Sequence, residues 1–197
     1  IGNIMPIADE YRRKSEELNE LLDNQCANPE LGKALLNLIH KTPANWNGYT
    51  GIFLPAYDAI YSFVGNQEQD LKDFSQQVIN LCESENLAPF LDYCSIFDNF
   101  KTRHSFSAAS FFLMLKYPDK HFVHLRNPGG NHPLITHGIV NPQSTNLVTI
   151  IGHLPKNNFP ELNRRYQNLL DFISQYKRNY ELVTMNNIDF MGYLEQL

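Results

Sequence analysis

The chain has few cysteines, one tryptophan and no long hydrophobic run. Its 197 residues include three cysteines, an odd number without the spacing of a disulfide scaffold, so we expect reduced thiols and an intracellular location. No apolar stretch approaches the roughly 18 residues of a membrane-spanning helix. The formal net charge is −5, so no basic surface for nucleic acid is indicated. We therefore expect neither a membrane nor a nucleic acid as partner.

The remaining composition is typical of a folded domain, with 43% hydrophobic and 19% charged residues. The first residue is Ile rather than Met and no signal peptide precedes the domain, so we expect the natural N-terminus to lie upstream. We divide the chain into an N-terminal helical segment over residues 1–28 and a single α+β domain over residues 29–197.

Helical periodicity and short β-prone runs predict an α+β fold. The helices predicted from apolar periodicity, proline positions and an Asn cap are Ala8–Asn24, Pro29–His40, Glu68–Glu85, Pro160–Tyr176 and a short one after Asn187. The strands predicted outside the central hairpin are Tyr93–Phe97, Gly138–Val140, Asn146–His153 and Glu181–Met185. Helices thus dominate the first half, and strands interleave with helices in the second.

The stretch Arg103–Gly130 is the part around which the other predictions are arranged. Two β-prone runs, one before and one after a break at residues 116–119, predict an antiparallel hairpin. Such a hairpin brings its outer ends together, so we expect His104 and Asn127 to lie within hydrogen-bonding distance. An Asn oxygen can hold a His ring in the orientation that a catalytic base requires. The alternative is an ordinary polar pair at the mouth of a hairpin.

The sequence His104-Ser-Phe-Ser and the segment Leu125–Gly130 resemble the histidine and asparagine motifs of calpain-type cysteine peptidases. Leu31–Tyr49 and Tyr180–Leu197 are similar to two further stretches of that family. The resemblance implies a papain-like architecture, with helices in the N-terminal half and a twisted antiparallel sheet in the C-terminal half. It also implies a thiol peptidase, a hydrolase that cleaves protein substrates by acyl transfer through a cysteine.

The chain departs from the family at the nucleophile and near both motifs. Arg103 and Gly129 stand where the family has Gly and Trp. Gly129 is expected to leave the predicted His–Asn bond open to water, unless Trp46 packs over it. The Gly-Asp-Cys-Trp nucleophile motif is absent from the sequence. Either an upstream subdomain carries the nucleophile, or the chain has lost it.

Cys26 is the candidate nucleophile within the chain. It precedes a predicted helix start at Pro29, and helix N-termini lower thiol pKa values. The order Cys26, His104, Asn127 is also that of papain-like enzymes. We expect the other two cysteines, Cys82 and Cys94, to be buried packing residues.

Three other possibilities concern ligands and function. The first is a catalytically silent protein-binding domain of the same fold. The second is a degenerate endonuclease/phosphatase-like domain over Asn146–Ile188, although the family's ligand motif does not match at residues 186–189. A metal site is the third, but His121 and His124 lie three apart on a predicted strand and point to opposite faces. We therefore expect no cofactor and no metal, and a protein as substrate or partner.

Overall fold

A computed structural model describes residues 7–23, 26–40, 61, 67–96, 102–123 and 159–195. These ranges are mostly helical and contain no strand. The helices they contain are α1 (Ile7–Leu22), α2 (Pro29–His40), α3 (Glu68–Ser84), α4 (Leu87–Cys94), α5 (Thr102–Lys116), α6 (Phe159–Asn179) and α7 (Asn187–Glu195).

The predicted α+β papain-like architecture is wrong for the described residues. Helix α5 occupies the first arm of the predicted hairpin, and α4 covers the start of the strand predicted at Tyr93–Phe97. Turns, not a strand, follow α6 over residues 180–184. The strands predicted at Gly138–Val140 and Asn146–His153 lie outside the described residues, as do Trp46 and Gly129.

Helix α5 is buried on every side. All residues from Ser105 to Leu115 are buried, and the helix contacts α1, α3, α4 and α7. Its serines do not break the core, because the Ser110 hydroxyl donates to the Phe106 carbonyl at 2.9 Å. A helix that is surrounded on all sides has no polar face, so its sequence shows no 3.6-residue period. This explains why an apolar run of this kind was predicted as a strand.

The predicted helices at the start, middle and end of the chain are confirmed as α1, α2, α3, α6 and α7. Asn186, rather than the predicted Asn187, caps α7, since its side-chain oxygen accepts from the Asp189 amide at 2.8 Å. Between α3 and α4, Glu85 adopts a left-handed conformation with φ of 55°, and the Asn86 side chain caps α4. This sharp reversal turns the Glu85 carboxylate toward the turn that follows α5.

Two contacts fix how the helices pack. Gly32 of α2 lies so close to α3 that a Cβ there would clash with the Leu71 carbonyl oxygen. The buried face of α6 contacts α4 and carries a regular apolar stripe: Leu162, Tyr166, Leu169 and Ile173.

Among the described residues, no helix has the length and apolar content to cross a bilayer.

Candidate functional site

The predicted catalytic residues are not brought together by the described part of the chain. His104 is the third residue of α5, and Asn127 lies outside the described residues. Because a helix rises 1.5 Å per residue, the His104 backbone lies about 18 Å from the end of α5 at Lys116. The hairpin that was to pair the two residues therefore does not form as predicted. The separation of His104 and Asn127 itself stays a prediction.

Cys26 is exposed and lies outside the start of α2. Asn28 caps that helix, because its side-chain oxygen accepts from the Leu31 amide at 2.8 Å. The Asn28 side-chain nitrogen donates to the Cys26 carbonyl at 2.9 Å. The thiol is thus accessible to a reagent, two residues before the cap. Cys82 and Cys94 are buried, as predicted, although Cys94 lies on a helix rather than a strand.

The turn after α5 positions a buried histidine. Pro118 cannot continue the helix, and the amides of Lys120 and His121 both donate to the Tyr117 carbonyl at 3.0 Å. The Tyr117 hydroxyl donates to the Cys82 carbonyl at 2.5 Å, which fastens the turn to α3. The described part of the predicted strand His121–Arg126 is therefore irregular chain that enters the core.

His121 connects three parts of the fold through both of its ring nitrogens. Its Nε2 lies 2.9 Å from Glu85 Oε1, and its Nδ1 lies 2.9 Å from the Tyr166 hydroxyl. The hydrogen bond from His121 lowers the pKa of Glu85, so the carboxylate is ionised and only accepts. Nε2–H therefore donates to Glu85, and Nδ1 accepts from Tyr166. The Phe122 amide in turn donates to the Tyr166 oxygen.

This chain of hydrogen bonds is structural rather than catalytic. Burial lowers the pKa of His121, and burial raises the pKa of Tyr166. The Tyr166 side chain is 2% exposed, so a substrate has no access to its hydroxyl. Both ring nitrogens of His121 are hydrogen-bonded, so the ring is not free to act as a base. It connects the turn after α5 to Glu85, at the end of α3, and to Tyr166 of α6.

Lys177, near the end of α6, is a buried lysine, as is Lys14 of α1. It is 8% exposed, and its Nζ donates to the Met185 carbonyl at 2.8 Å and to Asn187 Oδ1 at 2.5 Å. The ammonium also lies 5.3 Å from the centre of the Phe190 ring. Burial lowers the pKa of Lys177 to about 8, although Asp119 and Asp189 act to raise it.

Asn187 extends this contact to the turn that carries His121. Its side-chain nitrogen donates to the His121 carbonyl at 2.8 Å, and its amide donates to the Pro118 carbonyl at 2.8 Å. One asparagine thus joins the start of α7, the end of α6 and the turn after α5. The arrangement fixes the Lys177 side chain in one position.

Lys177 lines an open cleft of about 480 Å³, which we call the Lys177 cleft. Its polar lining residues include Ser174 and Asn187, and its charged ones are Asp119, Lys120, Lys177 and Arg178. Three cations thus face one carboxylate, in a chain whose net charge is −5. Lys177 forms no ion pair with any carboxylate of the described residues. The cleft is suited to an anionic group.

No metal centre accompanies this cleft within the described ranges. These residues contain no group of three or more His, Cys, Asp or Glu side chains able to hold a metal ion.

Comparison with protein-family models, curated proteins and solved structures finds no match for this chain. The chemistry of the cleft is therefore inferred from its own residues.

A sequence signal for Lys177 existed but was missed. The apolar stripe of α6 recurs at three- and four-residue steps through Tyr166, Leu169 and Ile173, and the next three- and four-residue steps fall on Tyr176, which was assigned to the stripe, and on Lys177. A lysine on the buried face of a helix needs hydrogen-bond acceptors or an opposite charge nearby, because burying an unpaired ammonium costs free energy. Glu85 and Tyr166, by contrast, are distant in sequence from His121, and no local pattern connects them.

Proposed function

We propose that this helical domain binds a partner protein through the Lys177 cleft, which takes an acidic side chain of the partner. One observation carries the proposal: a buried ammonium lines an open cleft and forms no ion pair with a carboxylate of the described residues, although Asp119 and Asp189 lie near enough to act on its pKa. A buried charge is costly when it is hydrogen-bonded only to neutral groups. A carboxylate that enters the cleft supplies the missing charge and displaces water from it.

The surrounding charges support an acidic ligand. Lys120 and Arg178 are exposed at the cleft and attract an approaching anion, although Lys120 also lies 3.4 Å from Glu85 Oε2. Asp119 in the cleft lining and Asp189 beside Lys177 oppose it. The longest stretch outside the described residues, 124–158, contains no aspartate or glutamate. That stretch therefore has no acidic side chain to offer the cleft, and the acidic residues outside the described ranges are Asp58 and Asp98.

Binding of synthetic peptides tests the proposal. A short glutamate-rich peptide with a fluorescent label is titrated with the protein, and fluorescence anisotropy reports the affinity. We expect Lys177→Met to weaken binding about tenfold or more, since truncating one partner of a buried charge pair costs about 2 kcal/mol or more. Lys72, an exposed lysine on α3, provides the matched control Lys72→Met.

A second variant separates binding from folding. Lys177→Met leaves the Met185 carbonyl and Asn187 without their donor, so its stability is checked by urea unfolding. Arg178→Gln changes an exposed side chain at the cleft and is expected to weaken binding about two- to fivefold, mostly through the association rate. Equal affinities of the Lys177, Arg178 and Lys72 variants would refute the proposal.

Cysteine-peptidase activity is the second candidate, favoured by the exposed thiol of Cys26. It requires His104 and Asn127 to meet, and the helix at α5 removes the hairpin that was to join them. We expect the chain alone to react slowly with a thiol-directed activity probe. Rapid labelling of Cys26 that is lost in His104→Ala would instead support the peptidase.

An intracellular setting is part of the same proposal. The three cysteines are free, and two of them are buried in the helical core. Thiols in this state are typical of a reducing compartment, where a disulfide does not compete with packing.

A further inference from the structure

Exposed apolar side chains concentrate beside the Lys177 cleft. The described residues with large exposed hydrophobic side chains are Tyr61, Ile96, Phe172, Tyr180 and Val183. Three of them, Phe172, Tyr180 and Val183, lie within the second half of α6 and the turn after it. Val183 itself lines the Lys177 cleft. Phe172 and Tyr180 do not line that cleft, so Val183 is the one of the three that shares its lining with the cations.

A second concavity adjoins the first along α6. It measures about 460 Å³ and includes Phe172, Asp171 and Gln175 in its lining. Ser174 and Arg178 line both concavities and form the ridge between them. We call this second concavity the Phe172 cleft. A ligand that fills both clefts crosses the ridge formed by these two residues.

The two clefts differ in charge, which determines how a bound ligand is oriented across them. In the Phe172 cleft one carboxylate, Asp171, balances the single cation Arg178. In the Lys177 cleft three cations face one carboxylate. An acidic side chain is thus attracted to the Lys177 side and repelled by Asp171 on the other. The Phe172 side offers an aromatic ring to an apolar group.

Aromatic rings stabilise the end of α6 near the two clefts. The rings of Tyr176 and Tyr180 stack with their centres 4.4 Å apart. The Tyr176 and Tyr193 hydroxyls lie 3.2 Å apart, which ties this pair to α7. Neither Tyr176 nor Tyr180 lines the clefts, so these contacts support the helix that carries the cleft residues and do not contact the ligand themselves.

We infer that the partner is an amphipathic segment of another protein, which places an acidic side chain in the Lys177 cleft and a bulky apolar one against Phe172. The inference rests on the proposed function, because the acidic contact is the same. The charge difference between the clefts and the clustered apolar side chains favour this occupant. An anionic membrane fits less well, since Lys177 is buried at 8% exposure below the surface that a flat bilayer would touch.

Two peptides of equal charge test this inference. Both carry the same glutamates, and one has leucines where the other has serines. We expect the leucine peptide to bind the wild-type protein about tenfold more tightly, because leucine burial against Phe172 contributes to affinity. Phe172→Ser should remove this advantage and leave the serine peptide unaffected. Ile96→Ser, a change of a more exposed apolar residue outside both clefts, should alter neither affinity.

The outcomes separate the inference from the proposed function. If Phe172→Ser leaves the leucine advantage intact while Lys177→Met weakens both peptides, the amphipathic partner is refuted and the acidic ligand stands. If Lys177→Met weakens neither peptide, the proposed function fails. Binding to phosphatidylserine vesicles in place of both peptides would overturn both ideas in favour of a membrane surface.

Discussion

Helices α5 and α6 are both long, but they use their residues differently. Helix α5 is buried from Ser105 to Leu115 and contacts four other helices. Helix α6 buries one stripe and exposes the other face, where Phe172 is 43% exposed. The buried helix α5 therefore contributes only to the core. The half-buried one supports the core with one face and offers a binding surface with the other.

The largest expected effect concerns the phenylalanines of the two helices. Phe111 of α5 is fully buried, so Phe111→Ala should lower the free energy of unfolding by about 3–5 kcal/mol. Phe172→Ala on α6 should change it by less than about 0.5 kcal/mol, because that ring is exposed. Urea unfolding followed by circular dichroism measures both. Similar losses for the two variants would contradict the contrast between the helices.

A glycine on α2 extends the contrast from buried side chains to buried backbone. Gly32→Ala places a Cβ against the Leu71 carbonyl, so α2 and α3 must separate. We expect a loss of about 1–3 kcal/mol, despite the better helix propensity of alanine. Lys33→Ala, at the neighbouring exposed position, serves as the control and should be nearly neutral. A Gly32→Ala variant more stable than wild type would mean that the two helices pack less closely.

One kind of substitution compares the buried face of α6 with the exposed turn that follows the helix. Tyr166→Phe removes the hydroxyl that joins His121 Nδ1 and the Phe122 amide, which leaves two buried polar groups unpaired. We expect a loss of about 1–3 kcal/mol. Tyr180→Phe removes an exposed hydroxyl and should cost almost nothing. If both substitutions cost the same, the buried chain of hydrogen bonds is not stabilising.

The pH dependence of stability should report the same buried chain. Burial lowers the pKa of His121 from 6.5, with Glu85 and Lys120 as the charged groups that face it. The unfolded chain therefore takes up a proton that the folded protein resists, and stability is lost as the pH falls below about 6.5. Protonation of Glu85, whose pKa is also lowered, acts in the same direction at lower pH.

Urea unfolding between pH 7 and pH 5 measures this effect in wild type and in His121→Gln. The wild-type protein should lose stability over this range, because the unfolded chain takes up the proton more readily. The variant should lose less, because glutamine does not titrate. An identical pH dependence in the two proteins would assign the loss to other groups.

Sequence patterns predicted the half-buried helices well and the fully buried one badly. The apolar stripe Leu162, Tyr166, Leu169 and Ile173 has a clear helical period because its opposite face meets water. Residues 105–115 have no such face, so nothing in their order distinguishes a buried helix from a buried strand. The same ambiguity misplaced a strand at Tyr93–Phe97, where α4 runs to Cys94.

The candidate site was less predictable than the helices. His104, Asn127 and Cys26 were chosen by motif and order, and the contact between His104 and Asn127 depended on a hairpin that α5 replaces. The Lys177 cleft joins the turn after α5 to the end of α6 and the start of α7, and a long stretch of sequence separates that turn from the two helices. The position of Lys177 on the apolar face of α6 could be predicted from the sequence. The other contacts of the cleft could not, because local sequence patterns do not predict how distant elements pack.

The protonation of Lys177 tests the central claim most directly. In ¹³C-labelled protein, NMR follows the Lys177 Cε resonance against pH, first alone and then saturated with the acidic leucine peptide. The free protein should titrate near pH 8, because burial lowers the pKa of this amine. The bound peptide should raise that pKa by one unit or more, since a carboxylate beside the ammonium favours its charged form. A Lys177 pKa that stays the same when the peptide is bound would contradict the proposed contact.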